Sequence, residues 1–210
     1  ALRAGVAAGD IVPVLCGSAY NKLGISSLMN AIGAYFPASD ASEEFFIAKK
    51  PDGSDARRKV SVNDPLAALV FKTVADPYVG RLSYFKVYSG IMTPDTTVYN
   101  SVTESNERIG KIYALVGKKQ VEVEKLNAGD IGAVTKLANT GTGDTLCSIT
   151  DRVVIDGIDF AKPNTALAAV PKAKGDEDKI RQCLSKLTDE DKLQAAKSAA
   201  ALDRLVEKYN

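Results

Sequence analysis

Residues 80–90 read GRLSYFKVYSG, and this stretch indicates the fold class of the chain. Its side chains alternate between two faces. One face carries Ser83, Phe85, Val87 and Ser89, and the other carries Leu82, Tyr84, Lys86 and Tyr88. A repeat of two residues is the period of a β-strand. Gly80 and Gly90 bound the segment, so we predict a strand between two turns.

The neighbouring sequence repeats this pattern of short β-prone segments separated by turn signals. Further strands are predicted at residues 66–74, 96–100, 108–116, 131–137 and 144–149. Gly117 and the Pro94-Asp95 pair are among the turn signals between them. Short strands at this spacing predict a small antiparallel barrel or sandwich over residues 65–150, with no helix in it.

Glycines and aromatic residues in this region have two possible roles each. We interpret Gly80, Gly90, Gly129 and Gly143 as turn residues that need positive φ or close backbone approach. The aromatic residues could stack on nucleic-acid bases or fill the core. Their strand spacing favours the core for Phe71, Tyr84, Phe85 and Tyr88.

The sequence before residue 65 has a different character. The apolar run at residues 11–16 is typical of a strand buried on both faces of a parallel sheet. A helix is predicted from about Ser26, taken as its N-cap, to Pro37. Small and polar residues then predict a connector over residues 41–64. Its basic run at residues 57–59 is interpreted as a solvated loop.

The sequence after residue 157 predicts an α+β unit that looks incomplete. Residues 165–170 favour a strand, and the acidic residues 176–178 favour a helix N-terminus. Apolar residues at helical spacing follow at Ile180, Cys183, Leu184 and Leu187. A second helix is predicted around residues 202–209.

Composition excludes several classes of function. The 210 residues carry a net charge of +1, so any RNA contact must use local clusters of cations. There is no histidine, and the three cysteines are scattered, which argues against a zinc site, a disulfide framework and histidine-based catalysis. We found no signal-peptide layout and no apolar run long enough for a bilayer, and we expect a cytoplasmic protein.

Three segments together resemble the elongation factor G family of translational GTPases. Residues 11–19, IVPVLCGSA, look like the family's fifth guanine-nucleotide motif. Residues 76–82, DPYVGRL, and 142–147, TGDTLC, look like its second domain, and residues 171–187 resemble the start of its third. The resemblance covers roughly residues 1–191, and the ordered combination of the segments is what makes it specific.

The resemblance implies a multidomain, mainly β protein. Residues 1–40 would be the strand–helix remnant of an α/β GTP-binding domain, and residues 41–64 the connector. Residues 65–157 would be the translation-factor antiparallel β-barrel. Residues 158–210 would be a partial ferredoxin-like α+β domain, in which the usual hairpin and Gly-rich turn are missing after Asp191. The chain is thus expected to be an internal fragment of a longer factor.

The resemblance assigns guanine binding to Ser18 and Ala19, with the Ala19 N–H bonding the base and Ser18 shaping the loop. The alternative is an ordinary turn of small residues between a strand and a helix. GTP with Mg²⁺ is the cofactor expected for the parent protein. The sequence contains neither a G-x-x-x-x-G-K-[ST] phosphate loop nor an Asn-Lys-x-Asp motif. We therefore expect no bound cofactor, no catalytic residue and no GTPase activity in this chain alone.

In the family, the second domain rests on small-subunit ribosomal RNA, so exposed loop cations become candidates for phosphate contact. The candidates are Arg81, Arg108, Lys118 and Lys119, although each could be a solvated surface charge. We expect the ribosome, through its small-subunit RNA and proteins, as the partner. We expect no membrane partner and a monomeric chain.

The implied function is ribosome-dependent GTP hydrolysis that promotes translocation of tRNA and mRNA, with this chain as a ribosome-binding part. Two alternatives stay open from the sequence. A close paralogue could act in ribosome recycling or ribosomal protection against an antibiotic. A non-catalytic RNA-binding barrel is the other, although such a barrel would have no use for the strand–helix segment before it.

Overall fold

The computed structural model of the chain describes residues 1–39, 46–76, 80–117, 119–157 and 175–190. It divides into two compact units, Ala1–Glu44 and Phe45–Asn210. No helix in the described ranges is long and apolar enough to cross a bilayer. The predicted strand at residues 165–170, the predicted helix at 202–209 and the sequence departure after Asp191 lie outside the described residues.

The first unit contains two helices, α1 (Leu2–Ala7) and α2 (Ile25–Tyr35). The predicted strand at residues 11–16 is not formed, and its side chains are exposed, with Val12 at 81% and Val14 at 88%. A strand needs a neighbour for its backbone N–H and C=O groups. Residues 1–39 as described contain no strand that could be that neighbour, so most of the apolar run stays exposed outside any sheet.

The start of α2 also differs from the prediction. Ser26 is inside the helix, and the N-cap is Gly24 in the left-handed conformation, with no side-chain cap bond. The C-terminus agrees with the prediction, because α2 ends at Tyr35 and its C-cap, Phe36, stands immediately before Pro37. The residue before a proline disfavours helical ψ, and Phe36 is extended at ψ 135°.

The second unit is built from antiparallel strands and one described helix. Its elements in chain order are β1 (Phe46–Lys49), β2 (Asp55–Arg58), β3 (Ala67–Asp76), β4 (Gly80–Ser89), β5 (Ile91–Met92), β6 (Thr97–Asn100), β7 (Ser105–Arg108), β8 (Ile112–Val116), β9 (Lys119–Val123), β10 (Leu126–Asn127), β11 (Ile131–Thr135), β12 (Thr145–Cys147), β13 (Val154–Ile155) and α3 (Glu177–Glu190). The large sheet has eight strands in the order β7-β6-β12-β3-β4-β11-β8-β9. The described chain is thus mainly β, with few helices.

The large sheet surrounds an apolar core. Strands from both halves of its order contribute to this core, including Val98 of β6, Phe85 of β4 and Ile112 of β8. A sheet whose distant strands share one core must curl around it. The prediction of an antiparallel, helix-free region between residues 65 and 150 is confirmed for the described residues.

Strand β4 has the predicted alternation of side chains, but the predicted core position of Tyr84 is wrong. Ser83, Phe85, Val87 and Ser89 are fully buried. Tyr84 lies on the opposite face, half-buried, with its ring 6.5 Å from the ring of Phe71. Tyr84 is therefore not a core residue. Phe71 is the extra residue of a β-bulge in β3, so it reaches the same outer face. It is half-buried there, and its predicted place in the core is also wrong.

Residues 46–58, predicted as part of a connector, form a hairpin instead. Strand β1 pairs with both β2 and β13 in a three-stranded sheet. This sheet shares a second apolar cluster with the large sheet, and the cluster includes Ala48, Leu69 and Cys147. Thr145 fastens the two sheets, because its Oγ1 accepts the Ile155 N–H at 3.0 Å. The basic run is therefore partly in a strand, and not a solvated loop.

The remaining differences concern element boundaries. The strand predicted at residues 108–116 is two strands, β7 and β8, with residues 109–111 between them. Ile109 is nevertheless fully buried in the core, which explains the unbroken apolar pattern. The helix predicted after the acidic residues 176–178 is confirmed as α3, which contacts β3.

Candidate functional site

The loop that carries Ser18 and Ala19 is a closed turn. Ser18 and Leu23 exchange two backbone hydrogen bonds, each at 3.0 Å. The Ser18 side chain adds a third, because its Oγ accepts the Asn21 N–H at 3.2 Å. Ala19 lies on the exposed side of the turn. This geometry gives Ser18 a role in shaping the loop, while guanine binding by the two residues stays a prediction.

Close backbone packing explains why glycines flank this turn. Gly24 has φ 74°, and a Cβ there would lie 2.7 Å from the Cys16 carbonyl oxygen. A residue with a side chain at position 24 would push Cys16 and Gly17 away from the start of α2. The turn therefore holds residues 16–18 against the helix N-terminus, which is where a bound anion or base edge would meet backbone N–H groups.

The predicted RNA-contacting cations lie on separate strands of the large sheet. Arg108 ends β7 and Lys119 begins β9, and both are exposed. Arg81 is in β4, half-buried, with its Nε fully buried. Lys118 lies outside the described residues. Arg108 and Lys119 are therefore better placed than Arg81 to reach a macromolecule.

Lys136 is a further cation of this surface that the sequence did not single out. It follows β11, is exposed, and its backbone N–H donates to the Arg81 carbonyl at 3.1 Å. Its φ of 62° is unusual for a residue with a side chain. The only sequence signal was a lysine at the end of a predicted strand. The pairing of β11 with β4 brings it beside Arg81.

The positive charge of Lys111, another exposed lysine of the second unit, is paired with a carboxylate. Its Nζ lies 2.8 Å from Glu122 Oε2 on the neighbouring strand. The hydrogen bond and the charge of Glu122 raise the pKa of Lys111 above its ordinary value. The lysine is thus fully charged at neutral pH, but its field is largely cancelled at the surface.

A buried polar network supports the loop that carries Lys136. Glu107 is 3% exposed, and its carboxylate accepts the Ala138 and Asn139 N–H groups and the Thr140 hydroxyl. Asn100 joins the same network through Thr140 and Asp144, each at 3.1 Å. Buried polar groups that are fully bonded fix one arrangement of a loop. The network therefore positions Lys136 relative to β7 and Arg108.

Several aromatic rings at the surface of the second unit pack on other side chains of the chain. The Arg152 guanidinium lies 4.0 Å from the centre of the Tyr99 ring. Tyr88 has its ring centre 5.2 Å from that of Phe46 and is also 5.2 Å from the Lys86 ammonium. These pairings favour a structural role for the rings. Within the described residues no group of acidic and cysteine side chains is arranged to hold a metal ion.

The large sheet coincides with a known domain family. Residues 65–149 match the family model described as Elongation factor G domain 2. The chain contains an elongation factor G domain 2-like region. The matched range begins just before β3 and ends just after β12, so it contains all eight strands of the large sheet.

A solved structure supports the same fold over more of the chain. A protein from Thermus thermophilus, known from its crystal structure, is similar with a TM-score of 0.72 and 25% sequence identity. The match covers 91% of this chain and 26% of that protein's chain. This chain therefore spans about a quarter of the length of the protein that it resembles.

Proposed function

We propose that this chain is a ribosome-binding part of an elongation factor G-type translation factor. The observation that carries the proposal is the domain 2 match over residues 65–149, which coincides with the large sheet. In this proposal the sheet is the translation-factor barrel. Residues 1–40 belong to a GTP-binding domain, and residues 158–210 to a ferredoxin-like third domain. The whole factor hydrolyses GTP with Mg²⁺ on the ribosome and promotes translocation in the cytoplasm.

The exposed apolar run at residues 11–16 supports the GTP-binding assignment. Its side chains are too apolar for a stable solvent-exposed segment, with Val12 and Val14 more than four-fifths exposed. A parallel sheet would bury such a run on both faces. We propose that this run becomes a strand of that sheet in the complete GTP-binding domain. The turn at Ser18 and Ala19 would then face the guanine base.

The distribution of charge supports phosphate contacts as the mode of ribosome binding. Arg108, Lys119 and Lys136 are exposed cations of the large sheet and its loops. The aromatic rings on the outer face are half-buried and pack on one another or on cations of the chain. Cations without base stacking produce binding that depends on RNA shape and salt, and little on base identity.

Competition for the ribosome tests the proposal. The 210-residue chain is added to ribosomes and a complete elongation factor G, and ribosome-dependent GTP hydrolysis by that factor is measured. If the chain and the complete factor occupy the same ribosomal surface, the chain raises the factor's apparent KM for ribosomes and leaves its kcat unchanged. The variant Arg108→Gln with Lys136→Asn should compete more weakly. The matched variant, Lys72→Gln with Lys125→Gln, changes two exposed lysines outside the candidate set, one in β3 and one between β9 and β10, and should compete like the parent.

The result that contradicts the proposal is binding without competition. A chain that associates with ribosomes or free RNA, yet leaves the factor's KM unchanged at saturating concentration, would be an RNA-binding barrel with another site. Complete absence of ribosome binding by a folded chain would also contradict it.

A further inference from the structure

Strand β2 is a free edge of the three-stranded sheet. The order of that sheet is β13-β1-β2, so β2 pairs with β1 on one side and with no described strand on the other. All four residues of β2 also line a cavity of about 550 Å³, which leaves open space against the strand. A free edge carries backbone N–H and C=O groups that can bond to another strand.

The backbone groups at this open edge belong to Asp55 and Arg57. At the start of the hairpin, the Lys50 N–H donates to the Ser54 carbonyl at 2.9 Å. Hydrogen-bonded and non-hydrogen-bonded pairs alternate along an antiparallel ladder. Ala56, two residues after Ser54, therefore bonds to β1, whereas the N–H and C=O groups of Asp55 and Arg57 point away from β1.

The side chains at this edge are an acid and a base without partners in the chain. Asp55 and Arg57 are both exposed, and no ion pair of the described residues includes either of them. They are two residues apart in a strand, so they lie on the same face. Ala56 lies between them on the other face and belongs to the second apolar cluster. The edge therefore carries one charge of each sign, separated by a small residue.

We propose that β2 pairs with β2 of a second copy of this chain, antiparallel and centred on Ala56. A two-fold axis at this position places Asp55 opposite Arg57 of the second copy, and Arg57 opposite its Asp55. Both pairs are of the hydrogen-bonded kind, and each exchanges two backbone hydrogen bonds. Directly opposed charges of unlike sign stabilise a strand pair. The proposal goes beyond the proposed function and departs from the monomer expected from the sequence.

Charge and backbone direction together select this register. A shift of one residue opposes Asp55 to Ala56, whose N–H and C=O groups already bond to β1. A shift of two residues opposes Asp55 to Asp55 of the second copy, or Arg57 to its Arg57. Either arrangement places like charges directly opposite each other, which destabilises a strand pair.

The free edges of the large sheet lack this combination of charges. Strand β7 ends with Arg108, but its acidic residue, Glu107, is buried. Strand β9 begins with Lys119, but its acidic residue, Glu122, is in an ion pair with Lys111. Among the described strands, β2 therefore has the one free edge that carries an unpaired acid and an unpaired base on the same face.

Sedimentation equilibrium of the 210-residue chain, between about 10 μM and about 1 mM, tests the pairing, because a small interface gives weak association. We expect a monomer–dimer equilibrium. Asp55→Arg alone, or Arg57→Asp alone, opposes like charges and should raise the dimer Kd at least about tenfold. Lys125→Asp makes the same change of charge as Arg57→Asp at an exposed position outside the strands, and should keep the parent Kd. A parent chain that stays monomeric throughout, or a parent-like Kd in the single variants, would overturn the proposal.

Two further samples distinguish charge pairing from damage to the fold. The double variant Asp55→Arg with Arg57→Asp exchanges the two charges and should dimerise like the parent. An equimolar mixture of the two single variants should form a mixed dimer, because a basic edge then faces an acidic one. Failure of either sample, in chains that melt at the parent's temperature, would overturn the proposal.

Amide hydrogen exchange locates the interface on the strand. The N–H groups of Asp55 and Arg57 should exchange more slowly at high than at low chain concentration, because dimerisation gives them hydrogen-bond acceptors. The Ala56 N–H bonds to β1 in both states and is the internal control. Dimerisation that leaves the exchange of Asp55 and Arg57 unchanged would place the interface elsewhere and overturn the proposal.

Discussion

At the scale of single residues, Gly90 shows how a turn fixes the large sheet. Its φ is 74°, and an added Cβ would lie 2.7 Å from both the N and the Cα of Leu66 and 2.8 Å from the Asp64 carbonyl oxygen. Its N–H also donates to the Ser61 carbonyl at 2.8 Å. The end of β4 is thereby packed directly on the backbone that enters β3.

We predict that Gly90→Ala destabilises the fold by at least about 3 kcal/mol, because left-handed strain adds to an overpacked backbone contact. The control is Gly53→Ala, at φ 81° with open space around it. That variant should lose only about 1–2 kcal/mol from strain. Urea unfolding of both variants measures the difference, and equal losses would show that the contact at Gly90 is unimportant.

Glu107 is the second residue with a specific role. Its carboxylate receives three donors from residues 138–140 while it is almost completely buried. We predict that Glu107→Gln costs about 2–4 kcal/mol of stability, because an amide replaces a charged acceptor and leaves a buried donor unmatched.

The control for Glu107 is Glu122→Gln, which weakens the exposed pair with Lys111. Exposed ion pairs contribute little to stability, so this variant should be close to the parent. The measurement is the urea midpoint of each variant at one pH. A Glu107→Gln variant as stable as the control would mean that the network adds nothing to the fold.

At the scale of elements, the hairpin of β1 and β2 is an integral part of the second unit. Ala48 is 1% exposed and faces the second apolar cluster, whereas its neighbour Ile47 is 50% exposed. We predict that Ala48→Leu overpacks this cluster and costs about 1–3 kcal/mol. Ile47→Ala should change stability by less than about 0.5 kcal/mol. If both changes are neutral, the hairpin does not pack as described.

The elements that the sequence predicts correctly are those with strong local signals. Strand β4 has an alternating pattern and glycines at both ends, and α2 ends where Pro37 forbids continuation. The failures have a non-local cause. Residues 11–16 are apolar enough for a strand, but a strand also needs a neighbour. β1 and β2 have four residues each, and the pairing of β1 with both β2 and β13 and the burial of Ala48 stabilise them.

At the scale of the whole molecule, the candidate site is less predictable than the fold. Arg108 and Lys119 could be chosen from sequence because they lie beside turns, and the structure leaves both exposed. Lys136 could not be chosen from the sequence, because only the pairing of β11 with β4 places it beside Arg81. Arg58 looked like one charge in a basic run, and its burial against Asp151 could not be inferred, because the partner is 93 residues away in sequence.

GTP binding is the next prediction at this scale. The sequence has no phosphate loop to cradle the nucleotide and no lysine placed by one. We predict that the 210-residue chain neither hydrolyses GTP nor binds it specifically, because the phosphates supply most of the contacts in this class of enzyme. Calorimetric titration with GTP and Mg²⁺ measures this. Specific binding with a Kd of about 1 μM, which corresponds to about 8 kcal/mol, would contradict it.

The central claim is that the large sheet binds small-subunit RNA through phosphate contacts, and the salt dependence of binding to purified small subunits tests it most directly. Each phosphate contact contributes about 0.7–0.9 to the slope of log affinity against log salt, so three cations predict a slope of about 2–3. Combined Arg108→Gln, Lys119→Gln and Lys136→Asn changes should nearly abolish this slope without unfolding the chain, and Tyr84→Ala should leave it unchanged. Salt-independent binding, or loss of binding in a folded Tyr84→Ala variant, would contradict the claim.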